Sequence, residues 1–204
     1  MTPRSALVLG AGVAGLAAAV LLGRDGYRVE VVDRDPLGVE GGPEASPAWD
    51  RSGIPHFLQP HAFIPRGRSE LRRHLPDVYE ALLEAGAWDI DVRPKLGGAT
   101  TDADEELQYL GVRRPLIEWA LRRAAEACPG VTLRGGSRVE GLVVEAGQLT
   151  GAWIDGTSVS ADVVVDALGR RSPVAAWLAD LGVEVAQLEH SDCGVVYYSR
   201  YYRC

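Results

Sequence analysis

Residues 6–34 begin Ala6-Leu-Val-Leu-Gly-Ala-Gly-Val-Ala-Gly15 and end Val29-Glu-Val-Val-Asp-Arg34. The apolar residues before the first glycine predict a short strand, and three glycines follow it in G-x-G-x-x-G spacing. Because glycine has no side chain, such a turn curls tightly and lets a pyrophosphate approach the backbone. The residues after the turn predict a helix, whose first N–H groups and dipole favour an anion. The opening of the chain therefore predicts a strand, a phosphate-binding turn and a helix.

A second predicted strand, from Tyr27 to Val32, ends at Asp33. This acid lies about 20 residues beyond the glycines, where dinucleotide-binding folds place the carboxylate that accepts hydrogen bonds from an adenosine ribose. The alternative is an ordinary glycine-rich turn, with Asp33 as a solvated strand end. The order of strand, turn, helix and acid favours the ADP half of a dinucleotide site. The candidate residues of this site are Gly10, Gly12, Val13, Ala14, Gly15, Asp33 and Arg34.

The composition predicts a globular protein with a buried core. The 204 residues are 47% hydrophobic and 24% charged, which suits one domain or one domain plus part of another. A net charge of −7 gives no electrostatic basis for binding nucleic acid or an anionic membrane. Apolar residues between Arg4 and Gly23 resemble a signal peptide or membrane span, but the loop glycines within them argue against both.

The chain contains three cysteines, Cys128, Cys193 and Cys204. They have neither C-x-x-C spacing nor an accompanying histidine cluster. We therefore expect no disulfide framework, no metal site and a cytoplasmic location.

Residues 36–66 depart from the regular alternation of a nicotinamide-binding domain, because they are rich in Gly, Pro and Ser. They predict a long irregular loop, and loops of this length in compact domains are often functional. The loop includes His61, which either contacts a cofactor or has a structural role. Residues 88–112 predict a surface strand pair with solvated acids.

A helix is predicted from Arg114 and Pro115, with the Arg113-Arg114 pair as a solvated helix end. Three alternating segments follow, at residues 138–145, 148–155 and 158–165, and they predict a β-meander in place of a crossover helix. The last of these segments leads into a glycine turn at Gly169.

Taken together, these motifs make the chain resemble the flavoprotein monooxygenase superfamily of aromatic hydroxylases and related oxidoreductases. The resemblance covers essentially the whole chain. The resemblance implies an α/β, Rossmann-like FAD-binding fold, in which a β-meander crossover accompanies the parallel sheet. The motifs that carry it are the glycine turn with Asp33-Arg34, Gln59-Pro-His61, Arg114-Pro-Leu-Ile-Glu118, the meander and Val165-Asp-Ala-Leu-Gly-Arg-Arg-Ser172.

The resemblance also implies a function. It places the glycine turn and Asp33 on the ADP part of FAD, and His61, Arg114 and Gly169 along the cofactor. It implies an FAD-dependent oxidoreductase, in which NAD(P)H reduces the flavin and O₂ supplies oxygen to a small organic substrate of aromatic or polycyclic type. The sequence indicates no catalytic acid, base or nucleophile.

Two features depart from the family pattern. Leu168 stands where the family usually has an aspartate, and Asp166, two residues earlier, is not expected to inherit its role. The later G-D-A motif of the family does not occur in this sequence. We therefore expect residues 1–185 to form an incomplete FAD-binding domain that lacks the usual C-terminal strand and helix. Residues 186–204 are expected to be the first strand of a truncated substrate domain.

These departures predict that a second polypeptide completes the site, as in a split enzyme, or that the chain is a fragment. A degenerate member that acts as a non-catalytic or regulatory module is the alternative. A plain NAD(P)-dependent dehydrogenase fits less well, because the long loop and the meander interrupt regular βαβ alternation.

Overall fold

The computed structural model of the protein describes residues 4–38, 40–54, 56–95 and 106–185, with the isolated positions 97, 101, 104, 194, 196, 198 and 200. The strands are β1 (Ser5–Leu9), β2 (Arg28–Val32), β3 (Pro60–Phe63), β4 (Trp88–Asp91), β5 (Gln108–Arg113), β6 (Val131–Arg134), β7 (Val139–Glu145), β8 (Gln148–Ile154), β9 (Thr157–Ser160) and β10 (Val163–Asp166). The helices are α1 (Val13–Arg24), α2 (Pro65–His74), α3 (Pro76–Glu84), α4 (Arg114–Ala127) and α5 (Val174–Asp180), with short 3₁₀ turns at Pro43–Ala48 and Arg93–Lys95.

The central layer is a four-stranded sheet in the order β10-β1-β2-β6, and its strands are parallel. Alternate residues of β1 face opposite layers, as the pleat of a strand requires. Ala6 and Val8 join the core formed with α1 and α4, whereas Leu7 and Leu9 pack against the side chains of β8. Both faces of the sheet are thus covered, and the α/β fold predicted from the sequence is confirmed.

In chain order, the meander β7-β8-β9 connects β6 to β10, as the sequence predicted, and it forms a separate three-stranded sheet. Its tight turns at Ala146-Gly147 and Asp155-Gly156 have positive φ at both central residues, which is the geometry that suits two-residue hairpins. The third predicted segment, 158–165, is divided. β9 ends at Ser160, and β10 begins at Val163 and pairs with β1 in the central sheet.

A second sheet, β3-β5-β4, is antiparallel and packs against α2, and Tyr79 of α3 donates a hydrogen bond to Asp89 of β4. The predicted strand pair corresponds to β4 and β5, but its surface location is wrong for β5, because Leu110 and Val112 are buried. The prediction that residues 36–66 are wholly irregular is wrong, because Pro60–Phe63 pairs with β5 and places His61 opposite Val112. This pairing satisfies the backbone groups of the end of the loop and fixes its path towards the central sheet.

Among the described residues, no helix combines the length and hydropathy that a bilayer crossing needs. Cys128 is a buried free thiol. Cys193 and Cys204, and most of the strand predicted within residues 186–204, lie outside the described part of the chain.

Candidate functional site

The candidate site lies at the carboxyl ends of β1, β2 and β10. Gly10 donates its N–H to Val32 O at 2.7 Å, and Ala167 donates to Leu9 O at 2.8 Å, so the segments that leave the three strands are tied together. In open α/β sheets, ligands bind in the crevice outside these strand ends. The glycine turn therefore stands where the sequence placed it.

The three glycines of the turn have different surroundings. Gly10 has a φ of +103°, and a Cβ there would lie 2.5 Å from Ala167 O. A Cβ on Gly15 would overlap the carbonyl oxygen of Gly10. On Gly12, by contrast, the nearest described atom would be Nη2 of Arg114, at 3.9 Å. Packing within the chain requires the first and third glycines, while Gly12 leaves open space in front of Arg114.

The N-terminus of α1 borders this open space. Gly12 is the residue before the helix and Val13 is its first residue, with Ala14 exposed beside it. The described residues give α1 no side-chain cap, and its first turn contains no acidic residue. The positive end of the helix dipole is therefore available to an anion.

Asp33 follows β2 and is largely buried. Its Oδ2 accepts a hydrogen bond from the N–H of Ala11 at 2.6 Å, and its Oδ1 accepts one from the N–H of Asp35 at 2.8 Å. The carboxylate thus fixes the glycine turn to the end of β2.

Arg51, in the long loop, is a site residue that the sequence analysis missed. It is 5% exposed, and its Nη1 donates to Asp33 Oδ1 at 3.0 Å. Its Nη2 donates to Ala11 O at 3.2 Å, and its Nε donates to Glu118 Oε2 at 3.1 Å. The guanidinium also lies 5.0 Å from the centroid of the Trp49 ring. Arg51 therefore joins the loop, the glycine turn and α4.

Glu118 of α4 is fully buried, with 0% exposure. Its second oxygen, Oε1, accepts a hydrogen bond from Arg114 Nε at 2.7 Å, so one carboxylate lies between two guanidinium groups. Burial raises the pKa of Glu118 above its ordinary value of 4.5, while Arg51 and Arg114 act in the opposite direction. The two hydrogen bonds from cations favour the carboxylate form.

Arg114 is not the solvated helix end that the sequence analysis considered, because its side chain is only 14% exposed. Its Nη1 lies 3.5 Å from Nε2 of His56. The His56 ring stacks on that of His61, with centroids 6.2 Å apart. Burial and, after it, the charge of Arg114 lower the pKa of both histidines below 6.5. His61 is thus joined to the site through His56, and both rings are held towards the neutral form.

Two further candidate residues, Arg34 and Gly169, follow β2 and β10 in the chain. The Arg34 side chain is largely exposed, with its Nε 3.8 Å from Oδ1 of Asp35. Gly169 has a φ of +85° in the turn after β10. Asp166 stabilises this turn by accepting hydrogen bonds from the N–H of Leu168 and from Ser172 Oγ. Asp166 therefore has a structural role within the turn.

Leu168, the position that departs from the family pattern, packs with the apolar residues between the central sheet and the meander.

Asp35, like Arg51 and Glu118, is a site residue that was not predicted from the sequence. Its Oδ2 lies 3.6 Å from Arg51 Nη1 and accepts a hydrogen bond from the N–H of Gly53 at 3.2 Å. One sequence signal was available for Glu118, which stands among the apolar residues of a predicted helix stripe. Nothing local marked Arg51 or Asp35.

Comparison with known proteins agrees with this geometry. A family model for the NAD(P)-binding Rossmann-like domain matches residues 8–75. Protein Rv3254 of Mycobacterium tuberculosis is 30% identical over 222 residues, which cover 97% of this chain and 44% of that protein. The chain thus spans less than half of the length of this relative.

Two solved structures share the fold. PqsL of Pseudomonas aeruginosa, described as a probable FAD-dependent monooxygenase, has a TM-score of 0.63 at 17% identity, over 93% of this chain and 48% of PqsL. CtdE, solved in complex with FAD, has a TM-score of 0.59 at 19% identity, over 87% of this chain and 41% of CtdE. The chain is therefore an α/β protein with a Rossmann-like, FAD-dependent monooxygenase-like fold.

Proposed function

We propose that this chain binds the ADP half of FAD in the space between the glycine turn and Arg114, as part of an FAD-dependent oxidoreductase. The observation that carries the proposal is the contrast among the three glycines. Gly10 and Gly15 are required by contacts within the chain, whereas a side chain on Gly12 would enter open space in front of a guanidinium group. A backbone that must admit a pyrophosphate has this property.

The charges around this space suit a diphosphate. The N-terminus of α1, with the N–H groups of Val13, Ala14 and Gly15, directly follows Gly12, and Arg114 Nη2 is the described atom nearest to a Cβ placed on Gly12. Backbone N–H groups and an arginine fork are the usual ligands of phosphate oxygens. In this proposal, the rest of the cofactor extends past His61 and the Gly169 turn.

Asp33 retains the capacity to bind the adenosine ribose. A carboxylate offers roughly four acceptor positions. Oδ1 of Asp33 receives hydrogen bonds from Asp35 and Arg51, and Oδ2 receives one from Ala11. One position on Oδ2 is therefore left for a ribose hydroxyl, and the existing contacts hold the carboxylate in place. Arg34 would lie at the exposed edge of the adenosine.

The proposed activity is that of a monooxygenase that uses NAD(P)H and O₂ on a small organic substrate of aromatic or polycyclic type. Bound FAD would supply the redox chemistry. The residues of this chain would bind the ADP moiety, orient it and exclude water from the pyrophosphate.

Residues 1–185 would form the FAD-binding domain and 186–204 the start of a substrate domain. The coverage of 44% of Rv3254 and 48% of PqsL supports a second polypeptide or segment that completes the enzyme. A cytoplasmic location belongs to the same proposal.

The experiment is a titration of the purified chain with FAD and ADP, alone and with a candidate partner polypeptide, followed by flavin absorbance and calorimetry. Gly12→Ala should weaken binding of FAD at least tenfold, or by about 1.4 kcal/mol. Gly141→Ala is the matched control, because a Cβ there would meet Trp153 Cδ1 at an ordinary 3.7 Å, away from the site. Absence of FAD and ADP binding with and without the partner would contradict the proposal. Bound FAD without NAD(P)H oxidation in the completed assembly would favour the regulatory alternative.

A further inference from the structure

We propose that Glu118 is a positioning residue: it holds the guanidinium groups of Arg51 and Arg114 against the glycine turn and so sets the affinity of the site for a diphosphate nucleotide. This inference rests on the proposed function, since it concerns the same site. Glu118 itself would not touch the nucleotide. It would act through the two arginines.

The geometry assigns each carboxylate oxygen to a different arginine. Oε1 accepts from Arg114 Nε at 2.7 Å and Oε2 from Arg51 Nε at 3.1 Å. Because each arginine uses its Nε for Glu118, the Nη groups can face the turn. Nη2 of Arg51 reaches Ala11 O, and Nη2 of Arg114 is the atom nearest to the open side of Gly12.

Loss of the carboxylate would move both arginines. Arg51 is 5% exposed, so water cannot replace Glu118, and loss of one of its charged partners is costly for a buried cation. Besides the carbonyl oxygen of Ala11, the remaining acceptors are the carboxylates of Asp33 and Asp35, at 3.0 and 3.6 Å from Nη1. The guanidinium would turn towards these two aspartates. It would then occupy the acceptor position of Asp33 that a ribose hydroxyl needs.

The same helix provides a matched control. Glu126 accepts from Arg122 at 2.7 Å with the same i, i+4 spacing that joins Glu118 to Arg114. The Glu126 side chain is 38% exposed, whereas that of Glu118 is fully buried. Exposed pairs of this kind contribute little, because water solvates the separated charges.

The decisive variants are Glu118→Gln and the control Glu126→Gln. Glu118→Gln should weaken FAD and ADP binding at least about tenfold, the effect of losing hydrogen bonds between buried charged groups. Glu126→Gln should change either affinity less than about twofold. Equal affinities for Glu118→Gln and the unaltered chain would overturn the inference.

A double-mutant cycle separates positioning from general support of the fold. If Glu118 acts through both arginines, then Glu118→Gln in an Arg114→Gln background should cost less affinity than it does alone, and the cost that remains should be the part that acts through Arg51. Additive effects of the two substitutions would show that Glu118 does not act through Arg114. Should Glu118→Gln fail to fold by circular dichroism, Glu118→Asp replaces it, because the shorter acid keeps its charge but cannot reach both arginines.

A measurement without a ligand keeps the inference separate from the proposed function. In NMR spectra of the full chain, the Nε–H signals of Arg51 and Arg114 should be protected from exchange with water. They should lose this protection in Glu118→Gln and retain it in Glu126→Gln. If the unaltered chain binds neither FAD nor ADP, the proposed function fails, and the Nε–H signals still decide whether Glu118 positions the arginines. Unchanged signals in Glu118→Gln would overturn the inference.

Discussion

Two walls of the candidate site are held in place by different physical means. One wall is the glycine turn, where Gly10 and Gly15 allow backbone atoms to pack at distances that no side chain would permit. The other is the arginine cluster, formed by Asp33, Arg51, Arg114 and Glu118, in which paired charges from three separate segments are buried together. A side chain added at Gly10 or Gly15 should therefore disrupt the entire glycine turn by steric overlap. Substitution of one residue of the arginine cluster should remove only the ion pairs and hydrogen bonds of that residue.

Arg68 provides a comparison outside the site. It is 3% exposed, like Arg51, and its Nε donates to Asp89 Oδ1 at 2.7 Å, while the Tyr79 hydroxyl donates to the same carboxylate at 2.6 Å. This group joins α2, α3 and β4 and lies away from the glycine turn. A buried arginine therefore does not define a site by itself. What distinguishes Arg51 is its position at the carboxyl ends of the parallel strands.

The largest effect is expected for Gly15→Ala. The added Cβ would overlap the carbonyl oxygen of Gly10, a backbone atom, and would also lie 3.2 Å from the Cβ of Ala167. We expect the free energy of unfolding to fall by at least about 3 kcal/mol, measured by urea denaturation. Gly12→Ala, in the same turn, should change it by less than about 0.5 kcal/mol. Equal losses in the two variants would contradict the different roles of these glycines.

A smaller effect, on both stability and binding, is expected when the two buried arginines are compared. Arg51→Met leaves Asp33 and Glu118 short of a partner and should lower the free energy of unfolding by about 3 kcal/mol. Arg68→Met should cost about 1.5 kcal/mol, because the Asp89 side chain is 32% exposed and remains partly solvated.

Nucleotide titration distinguishes these two variants more sharply than unfolding does. Arg51→Met should weaken FAD binding at least about tenfold, while Arg68→Met should leave it within about twofold. A similar loss of binding in both would mean that the arginine cluster supports the fold without a specific part in the site.

The two walls also differ in how far the sequence predicts them. The glycine turn lies within one continuous stretch, residues 6–34, and its strand, helix and acid follow from local periodicity and spacing. The meander was predicted for the same reason, since Ala146-Gly147 and Asp155-Gly156 specify tight turns locally. The boundary between β9 and β10 was missed, because it depends on pairing with β1, which is distant in sequence.

The arginine cluster could be predicted only in part: Asp33 follows from its spacing and Arg114 from the family resemblance, whereas Arg51 and Glu118 were not among the predicted site residues. Arg51 and Glu118 are 67 residues apart and meet only after the loop folds back onto α4. Charge pairing has no sequence period, and a loop arginine is solvated in most proteins. Glu118 gave a partial signal, as an acid among the apolar positions of a predicted helix, and such a residue requires a buried partner.

The smallest effect concerns pH and tests the edge of the arginine cluster, where His56 and His61 stack beside Arg114. Burial lowers the pKa of both histidines below the 6.5 of an unfolded chain. The unfolded chain therefore takes up protons first as the pH falls through 6.5, and the folded state loses stability from there down to the lowered pKa values. Glu118 acts in the opposite direction, because its raised pKa makes the folded state bind a proton more readily above pH 4.5.

Replacement of both His56 and His61 by glutamine isolates the contribution of the histidines to the pH dependence of stability. Glu118 is present in the variant and in the unaltered chain, so its contribution is the same in both. Urea denaturation at about pH 7.5 and about pH 5.5 should show a smaller loss of stability on acidification in the double variant than in the unaltered chain. The same loss in both chains would mean that the imidazoles are as well solvated when folded as when unfolded.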